Sequence, residues 1–157
     1  MKIFIKAKIW EYDLAFFYSV NKKKILFVCV GNAWRSIIAE AYAKALFDED
    51  IEVQSGGIRP LGYIPPDVIE ILSEDEMIRE KVDLSSLSSK SILTDKLSDY
   101  SCIIVLSRIV FFAPEGVKVL YFDVEDPAFS DKEFLRQIRD KIKEIVMQVK
   151  RFLQEDL

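Results

Sequence analysis

The chain contains no histidine and only two cysteines in its 157 residues. The lack of histidine excludes Ser-His-Asp and Cys-His catalysis, and it excludes zinc sites that need a histidine ligand. Any general acid or base must therefore be a carboxylate, a lysine, a tyrosine or a cysteine. The two cysteines, Cys29 and Cys102, are too few for a disulfide framework, and no secretion signal precedes them. We expect reduced thiols in a cytoplasmic protein.

Long hydrophobic runs and a strong excess of one charge are also absent. No apolar run approaches the roughly 20 residues that span a bilayer, so we predict no membrane partner. The net charge of −4 gives no indication of a nucleic-acid surface. The length favours one main domain, which we place at 25–157. Residues 1–24 form an N-terminal extension of unknown role, and three interpretations stay open: an added edge strand, a self-association arm, or a poorly packed segment.

Strand-like and helical patterns alternate along residues 25–157. This alternation predicts an α/β fold, a three-layer sandwich with a central four-stranded parallel sheet and helices on both faces. The loops that follow parallel strands meet at one edge of the sheet, where such folds bind ligands. The predicted strands lie at about 25–30, 51–54, 102–106 and 117–122, and the predicted helices at 36–47, 66–80, 91–97 and 131–153, the last with a capping box of Ser130 and Glu133.

The segment Cys29-Val30-Gly31-Asn32-Ala33-Trp34-Arg35-Ser36 joins the first predicted strand to the first predicted helix. The first amides of a helix have no partner within the helix, and the helix dipole favours an anion there. Those amides, the Arg35 guanidinium and the Ser36 hydroxyl would together hold Cys29 as the nucleophilic thiolate. Gly31 and Asn32 suit a positive-φ turn that aims amides inward. The loop therefore predicts a nucleophile in a cradle for a tetrahedral oxyanion such as phosphate.

Asp126 is the candidate general acid. It lies after the last predicted strand, and Pro127 stiffens its loop and biases Asp126 away from helical geometry. A carboxylic acid at this edge of the sheet would protonate the leaving oxygen and later activate water against a thiophosphate intermediate. Asp123 and Glu125 are close in sequence and remain competitors for this role.

The chain resembles the low-molecular-weight protein tyrosine phosphatase family, whose fold is shared with thioredoxin-coupled arsenate reductases. The likeness lies in 25–32 with Arg35-Ser36, in 38–41, in 55–58 and in Asp126-Pro127. The resemblance implies Cys29 as nucleophile, Arg35 as phosphate clamp and Asp126 as general acid, without metal or cofactor. We expect the substrate, a phosphorylated protein or a small aryl phosphate, to contact a further set of residues: Val30, Gly31, Asn32, Ala33, Trp34, Ser36 and Phe129.

The sequence departs from the family pattern at three places. Many relatives carry a second cysteine where this chain has Trp34, so their disulfide switch is absent here, and many have a proline at the place of Ile37. Tyrosine-specific members usually carry aromatic residues directly after Asp-Pro, where this chain has Ala128 and then Phe129. Trp34 and Phe129 would supply a different ring-stacking wall, unless Trp34 packs against the N-terminal segment instead.

The main prediction is a cysteine-dependent phosphatase that acts on phosphomonoesters, protein phosphotyrosine or aryl phosphates. Arsenate reductase is the first alternative, because the same thiolate can attack arsenate. In those enzymes a resolving cysteine follows the strand at 102–106, where this chain has Ser107; Cys102 lies at the opposite end of that run and is expected in the core. An external thiol would have to complete the cycle. The second alternative is a non-catalytic oxyanion-binding or interaction protein.

Overall fold

The structure is a computed structural model that describes residues 23–94 and 96–156. It confirms the predicted parallel sheet. In the described part of the chain the sheet has four strands, β1 (Lys23–Cys29), β2 (Ile51–Gly57), β3 (Cys102–Val105) and β4 (Lys118–Tyr121), in the order β2-β1-β3-β4. All three pairings are parallel. The predicted extension lies almost wholly outside the described residues, so its role and any self-association through it stay predictions.

Within residues 23–94 and 96–156, four α-helices and short 3₁₀ turns cover the sheet. The helices are α1 (Arg35–Leu46), α2 (Pro66–Ser73), α3 (Glu76–Lys81) and α4 (Lys132–Asp156). They share one hydrophobic cluster with Ile25 and Phe27 of β1. Because side chains alternate along a strand, Leu26 and Val28 face the other side. They pack there against a second cluster that includes Ile92, Tyr100 and Phe111. No helix in the described chain is long and apolar enough to cross a membrane.

The helix predicted over 66–80 is two helices, because Asp75 interrupts it. Asp75 has an extended backbone, and its Oδ1 accepts the N–H of Met77 at 3.0 Å, which caps α3. Its Oδ2 accepts the Tyr42 hydroxyl and the Lys143 ammonium, each at 3.0 Å. These contacts with α1 and α4 fix the break, and the local helical pattern contains no sign of them.

Two further predictions of local structure are wrong. The segment predicted as a helix at 91–97 forms the 3₁₀ turns Ile92–Thr94 and Leu97–Asp99. Ser91 forms a parallel β-bridge with Gly57, so the chain enters this segment in extended form. The Ser130–Glu133 capping box is replaced by Asp131, whose Oδ1 accepts the N–H of Phe134 at 2.8 Å. The Ser130 hydroxyl donates instead to the carbonyl of Pro127 at 2.6 Å.

Candidate active site

The Cys29–Ser36 loop lies at the carboxyl end of β1, as the sequence predicts. Cys29 is the last residue of β1 and Arg35 is the first residue of α1. Trp34 occupies the N-cap position, and no side chain caps the helix there. The first amides of α1 are therefore not satisfied by a capping side chain, which is the arrangement that binds anions at helix N-termini.

The sulfur of Cys29 is 2.9 Å from the Ser36 hydroxyl oxygen and 3.3 Å from the backbone nitrogen of Asn32, which donates to it. Cys29 is only 2% exposed. Hydrogen bonds that donate to sulfur favour a negative charge on it. The direction of the Ser36 hydrogen bond therefore matters, because the hydroxyl supports a thiolate only when it donates.

Asn32 determines the direction of that hydrogen bond. Its Oδ1 accepts the backbone N–H of Lys90 at 2.8 Å, and because an N–H can only donate, the amide nitrogen must face the other way. Nδ2 then donates to Ser36 Oγ at 2.8 Å and to Ser55 Oγ at 2.9 Å. With its oxygen occupied as an acceptor, Ser36 keeps its hydrogen for the sulfur of Cys29.

The network continues to a buried carboxylate. Ser55 donates to Glu40 Oε1 at 2.6 Å, and the Glu40 side chain is only 2% exposed. Its charge is balanced by Lys44 at 2.9 Å and Lys90 at 3.6 Å. The sequence reasoning assigned no role to Glu40, Ser55 or Lys90. The sequence does contain a signal for this network. A polar residue recurs every four positions along the otherwise mostly apolar helix α1, at Ser36, Glu40 and Lys44.

Backbone contacts with the segment after β2 orient the loop. The carbonyls of Cys29, Val30 and Gly31 accept N–H groups of residues 58, 59 and 61 at 3.3, 2.9 and 2.8 Å. In a trans peptide the carbonyl and the following N–H point in opposite directions, so the amides of residues 30–32 point away from that segment. Asn32 has the positive φ, 45°, that the sequence led us to expect, whereas Gly31 does not.

The structure brings Arg35 and Asp126 together from opposite ends of the domain. Arg35 is 7% exposed; its Nη1 donates to the carbonyl of Val124 at 3.0 Å, and its Nη2 lies 3.7 Å from Asp126 Oδ2. Asp126 Oδ1 also accepts the N–H of Ala128 at 3.0 Å, while most of its side chain is exposed. A carboxylate and a guanidinium thus meet at the edge of the sheet where the Cys29 loop begins.

The competing carboxylate at Asp123 is engaged elsewhere. Arg108 donates to both of its oxygens, at 2.9 and 2.6 Å. This bidentate hydrogen bonding holds the pKa of Asp123 below its usual value. Because Arg108 occupies both oxygens of Asp123, this carboxyl group is poorly placed to give a proton to a substrate. Glu125 also lines the neighbouring cleft. It makes no salt bridge within 4 Å among residues 23–94 and 96–156, but, after the hydrogen bonds to Asp123, its charge helps to raise the pKa of Arg108.

A cleft of about 420 Å³ opens beside the loop. Trp34 and Phe129 are not among the residues that line it. They contact each other instead, edge to face, with ring centroids 5.3 Å apart, and Phe129 is 84% exposed. The cleft is lined by Val30, Arg35, residues 107–109 and residues 123–126.

The second cysteine lies outside the site. Cys102 is fully buried, and burial raises its pKa to about 11. It pairs in register with Ile25, four residues before Cys29 on the adjacent strand. Ser107 follows β3 at the end nearer the loop and lines the cleft. Residues 23–94 and 96–156 contain no cluster of acidic, cysteine or histidine side chains suited to a metal ion.

Comparisons with known proteins agree with this geometry. A family model described as low molecular weight phosphotyrosine protein phosphatase matches residues 24–111. Arsenate reductase 1 of Staphylococcus saprophyticus is 32% identical over 128 residues, which cover 79% of this chain and 93% of that protein.

Two solved structures show the same fold. The thioredoxin-dependent arsenate reductase of Corynebacterium glutamicum has a TM-score of 0.71 at 24% identity, covering 93% of this chain and 73% of that one. The YwlE arginine phosphatase has a TM-score of 0.68 at 22% identity, covering 85% of this chain and 97% of that one.

Proposed function

Because the chain belongs to the low molecular weight phosphotyrosine protein phosphatase family, we propose that it hydrolyses phosphomonoesters through a covalent phosphate on Cys29. The observation that carries this proposal is the position of the Cys29 sulfur, 2.9 Å from a Ser36 hydroxyl whose hydrogen is free to donate. Arg35 and Asp126 lie 3.7 Å apart beside the same loop. The three groups supply a nucleophile, a clamp for the oxyanion and a proton donor.

In the first step, Cys29 attacks the phosphorus atom and the bond to the leaving oxygen breaks. The Arg35 guanidinium and the amides of the loop stabilise the negative charge on the equatorial oxygens. Asp126 then donates its proton to the leaving oxygen.

In the second step, water attacks the thiophosphate. Asp126, now ionised, accepts a proton from that water, and the phosphorus–sulfur bond breaks. Phosphate leaves and the Cys29 thiolate is restored. The cycle uses Cys29, Ser36, Arg35, Asp126, the loop amides and water, all of which this chain or the solvent supplies.

Arsenate reduction is the second candidate, and the names of the relatives support it at least as strongly as they support hydrolysis, because relatives at 30–32% identity are named arsenate reductases. Here Cys29 would attack arsenate with loss of water. A second thiol would attack the Cys29 sulfur, a disulfide would form, and arsenic(V) would leave as arsenic(III). Neither Ser107 nor buried Cys102 can act as that thiol. This candidate therefore requires an external thiol, both for that attack and for reducing the resulting disulfide.

One set of assays on the reduced protein separates the candidates. We expect turnover of p-nitrophenyl phosphate that vanadate inhibits, that Cys29→Ser abolishes, and that Asp126→Asn lowers by about 10²–10⁴-fold. Asp123→Asn is the matched control, because Arg108 occupies both oxygens of Asp123; we expect it to lose less than tenfold.

Two other results would redirect the proposal. Arsenate-dependent oxidation of an added thiol, with negligible hydrolysis, would favour the reductase. Binding of phosphate without either reaction in a folded, reduced sample would favour a non-catalytic oxyanion-binding protein.

A further inference from the structure

Ser107 carries a buried hydroxyl group that nothing in the described chain satisfies. The residue is 6% exposed. Its Oγ is the single buried side-chain nitrogen or oxygen without a hydrogen-bond partner among the residues that the structure describes. Buried polar groups in folded proteins are nearly always paired, so an unpaired one indicates a missing water or ligand.

Ser107 stands in the wall of the cleft beside the active-site loop, a cleft that Val30 also lines. The volume of about 420 Å³ is within the range of small-molecule sites. The inference rests on the proposed function in one respect, since it takes Arg35 as the site of the phosphate. Arg35 and Asp126 line the same cleft, so a leaving group that Asp126 protonates extends into it.

Once a phosphate is bound, the cleft carries more negative than positive charge. Asp123 is neutralised by the two hydrogen bonds from Arg108. The bound phosphate occupies Arg35, and Asp126 holds the proton of the reaction. Glu125 remains, an exposed carboxylate in the lining that makes no salt bridge within 4 Å among the described residues. After the hydrogen bonds to Asp123, its charge also helps to raise the pKa of Arg108, so this one guanidinium faces two carboxylates and the cleft keeps an excess of negative charge.

We propose that this cleft selects substrates whose leaving group carries an ammonium or guanidinium cation. Both such groups only donate hydrogen bonds, and the exposed Glu125 carboxylate can accept them directly. The buried Ser107 oxygen can accept one once its side chain rotates toward the cleft. Glu125 also supplies the opposite charge. An apolar leaving group would leave both acceptors without a partner, and sites built around polar groups discriminate against ligands that fail to pair them.

Binding of two phosphonates of equal length tests this selection without requiring turnover. The probes are 3-aminopropylphosphonate and butylphosphonate, in which an ammonium replaces a methyl group, added at low salt to the full reduced chain. We expect the amino compound to bind about three- to fivefold more tightly, as one exposed ion pair would give.

Three variants assign the preference to residues. Glu125→Gln should bring the two affinities within about twofold of each other. Glu115→Gln changes the net charge equally at an exposed position outside the cleft, and it should keep the preference. Ser107→Ala should weaken the amino compound two- to fivefold more than butylphosphonate, whereas a purely structural role for Ser107 would weaken both alike.

Equal affinities in the wild-type protein would overturn the proposal, and so would a preference that survives Glu125→Gln. Failure of both phosphonates to bind would overturn the proposed oxyanion site together with it. Binding of both without discrimination would leave the proposed phosphatase chemistry standing and refute only the selection for a cation.

Discussion

Gly57→Ala places a methyl group behind the active-site loop and tests whether that loop depends on close backbone packing. A Cβ at Gly57 would lie 2.8 Å from the Val30 carbonyl oxygen and 2.9 Å from both the Cβ and the backbone nitrogen of Asn32. Two of these three atoms are backbone, so the loop itself must shift. Ordinary contacts begin at 3.4 Å, which makes the required displacement roughly half an ångström.

The energetic consequences can be weighed from known magnitudes. Overpacking of this kind costs about 1–3 kcal/mol. Replacing glycine by alanine restricts the unfolded chain and returns about 0.4–1 kcal/mol. The net loss of stability is therefore about 1–2 kcal/mol. Activity should respond more strongly, because a displacement of about 1 Å can cost about 10²-fold in rate, and half of that about tenfold.

The assay is kcat/KM with p-nitrophenyl phosphate, together with the free energy of unfolding from urea titration. Gly31→Ala is the matched control, because a Cβ there meets nothing within 4 Å and the residue has no positive φ. We expect the free energy of unfolding of Gly31→Ala to lie within about 1 kcal/mol of the wild-type value. Wild-type activity and stability in Gly57→Ala would refute the claim that close packing against the backbone of β2 holds the loop in its active conformation.

Three further changes test other parts of the structure. Burial raises the pKa of Cys102 to about 11, above the usual 9.0 of a thiol. Between pH 9 and 11 this thiol therefore ionises only in the unfolded chain. Wild-type stability should therefore fall by up to about 2 kcal/mol as pH rises from 9 to 11, and less in Cys102→Ala. Ser107→Cys should supply a resolving thiol, giving an arsenate-dependent disulfide between Cys29 and the introduced group, detected by mass spectrometry. Asp75→Ala should destabilise the protein by about 1–3 kcal/mol in urea titration, because it removes the cap of α3 and the acceptor of Tyr42 and Lys143.

Each of these changes has a control or a contradicting result. An equal alkaline loss in wild type and Cys102→Ala would show that Cys102 contributes nothing to it. The Ser107→Cys disulfide should be absent without arsenate and in the Cys29→Ser background. Its failure to form with arsenate would contradict attack of Cys29 on arsenate followed by resolution from the end of β3. Asp99→Ala is the control for Asp75→Ala: it removes an exposed aspartate and should change the free energy of unfolding by less than about 0.5 kcal/mol. An equally small effect of Asp75→Ala would refute the capping role of Asp75.

The sequence predicts the sheet and the position of the loop because both depend on local pattern. Continuous apolar runs indicate strands buried on both faces, and β1 and β3 have that burial. Chain direction then brings the loops after parallel strands to one edge. For this reason the closeness of Arg35 and Asp126 could be expected from residues far apart in the chain.

The features that the sequence does not predict depend on tertiary contacts. The break at Asp75 is stabilised by Tyr42 and Lys143, which lie on other helices. Within the site, the direction of the Ser36 hydrogen bond depends on the backbone N–H of Lys90, far along the chain. Asp123 is likewise excluded as the general acid by its two hydrogen bonds from Arg108. No local motif in the sequence predicts that contact.

The central claim is that the Cys29 sulfur forms a covalent bond to the oxyanion. The most direct measurement is mass spectrometry of the protein quenched in acid during turnover of p-nitrophenyl phosphate. The Asp126→Asn variant suits this experiment, because it slows release of the intermediate. We predict one phosphate on the peptide that contains Cys29, and none in Cys29→Ser. Turnover without a phosphorylated Cys29, or with phosphate on another residue, would contradict the account.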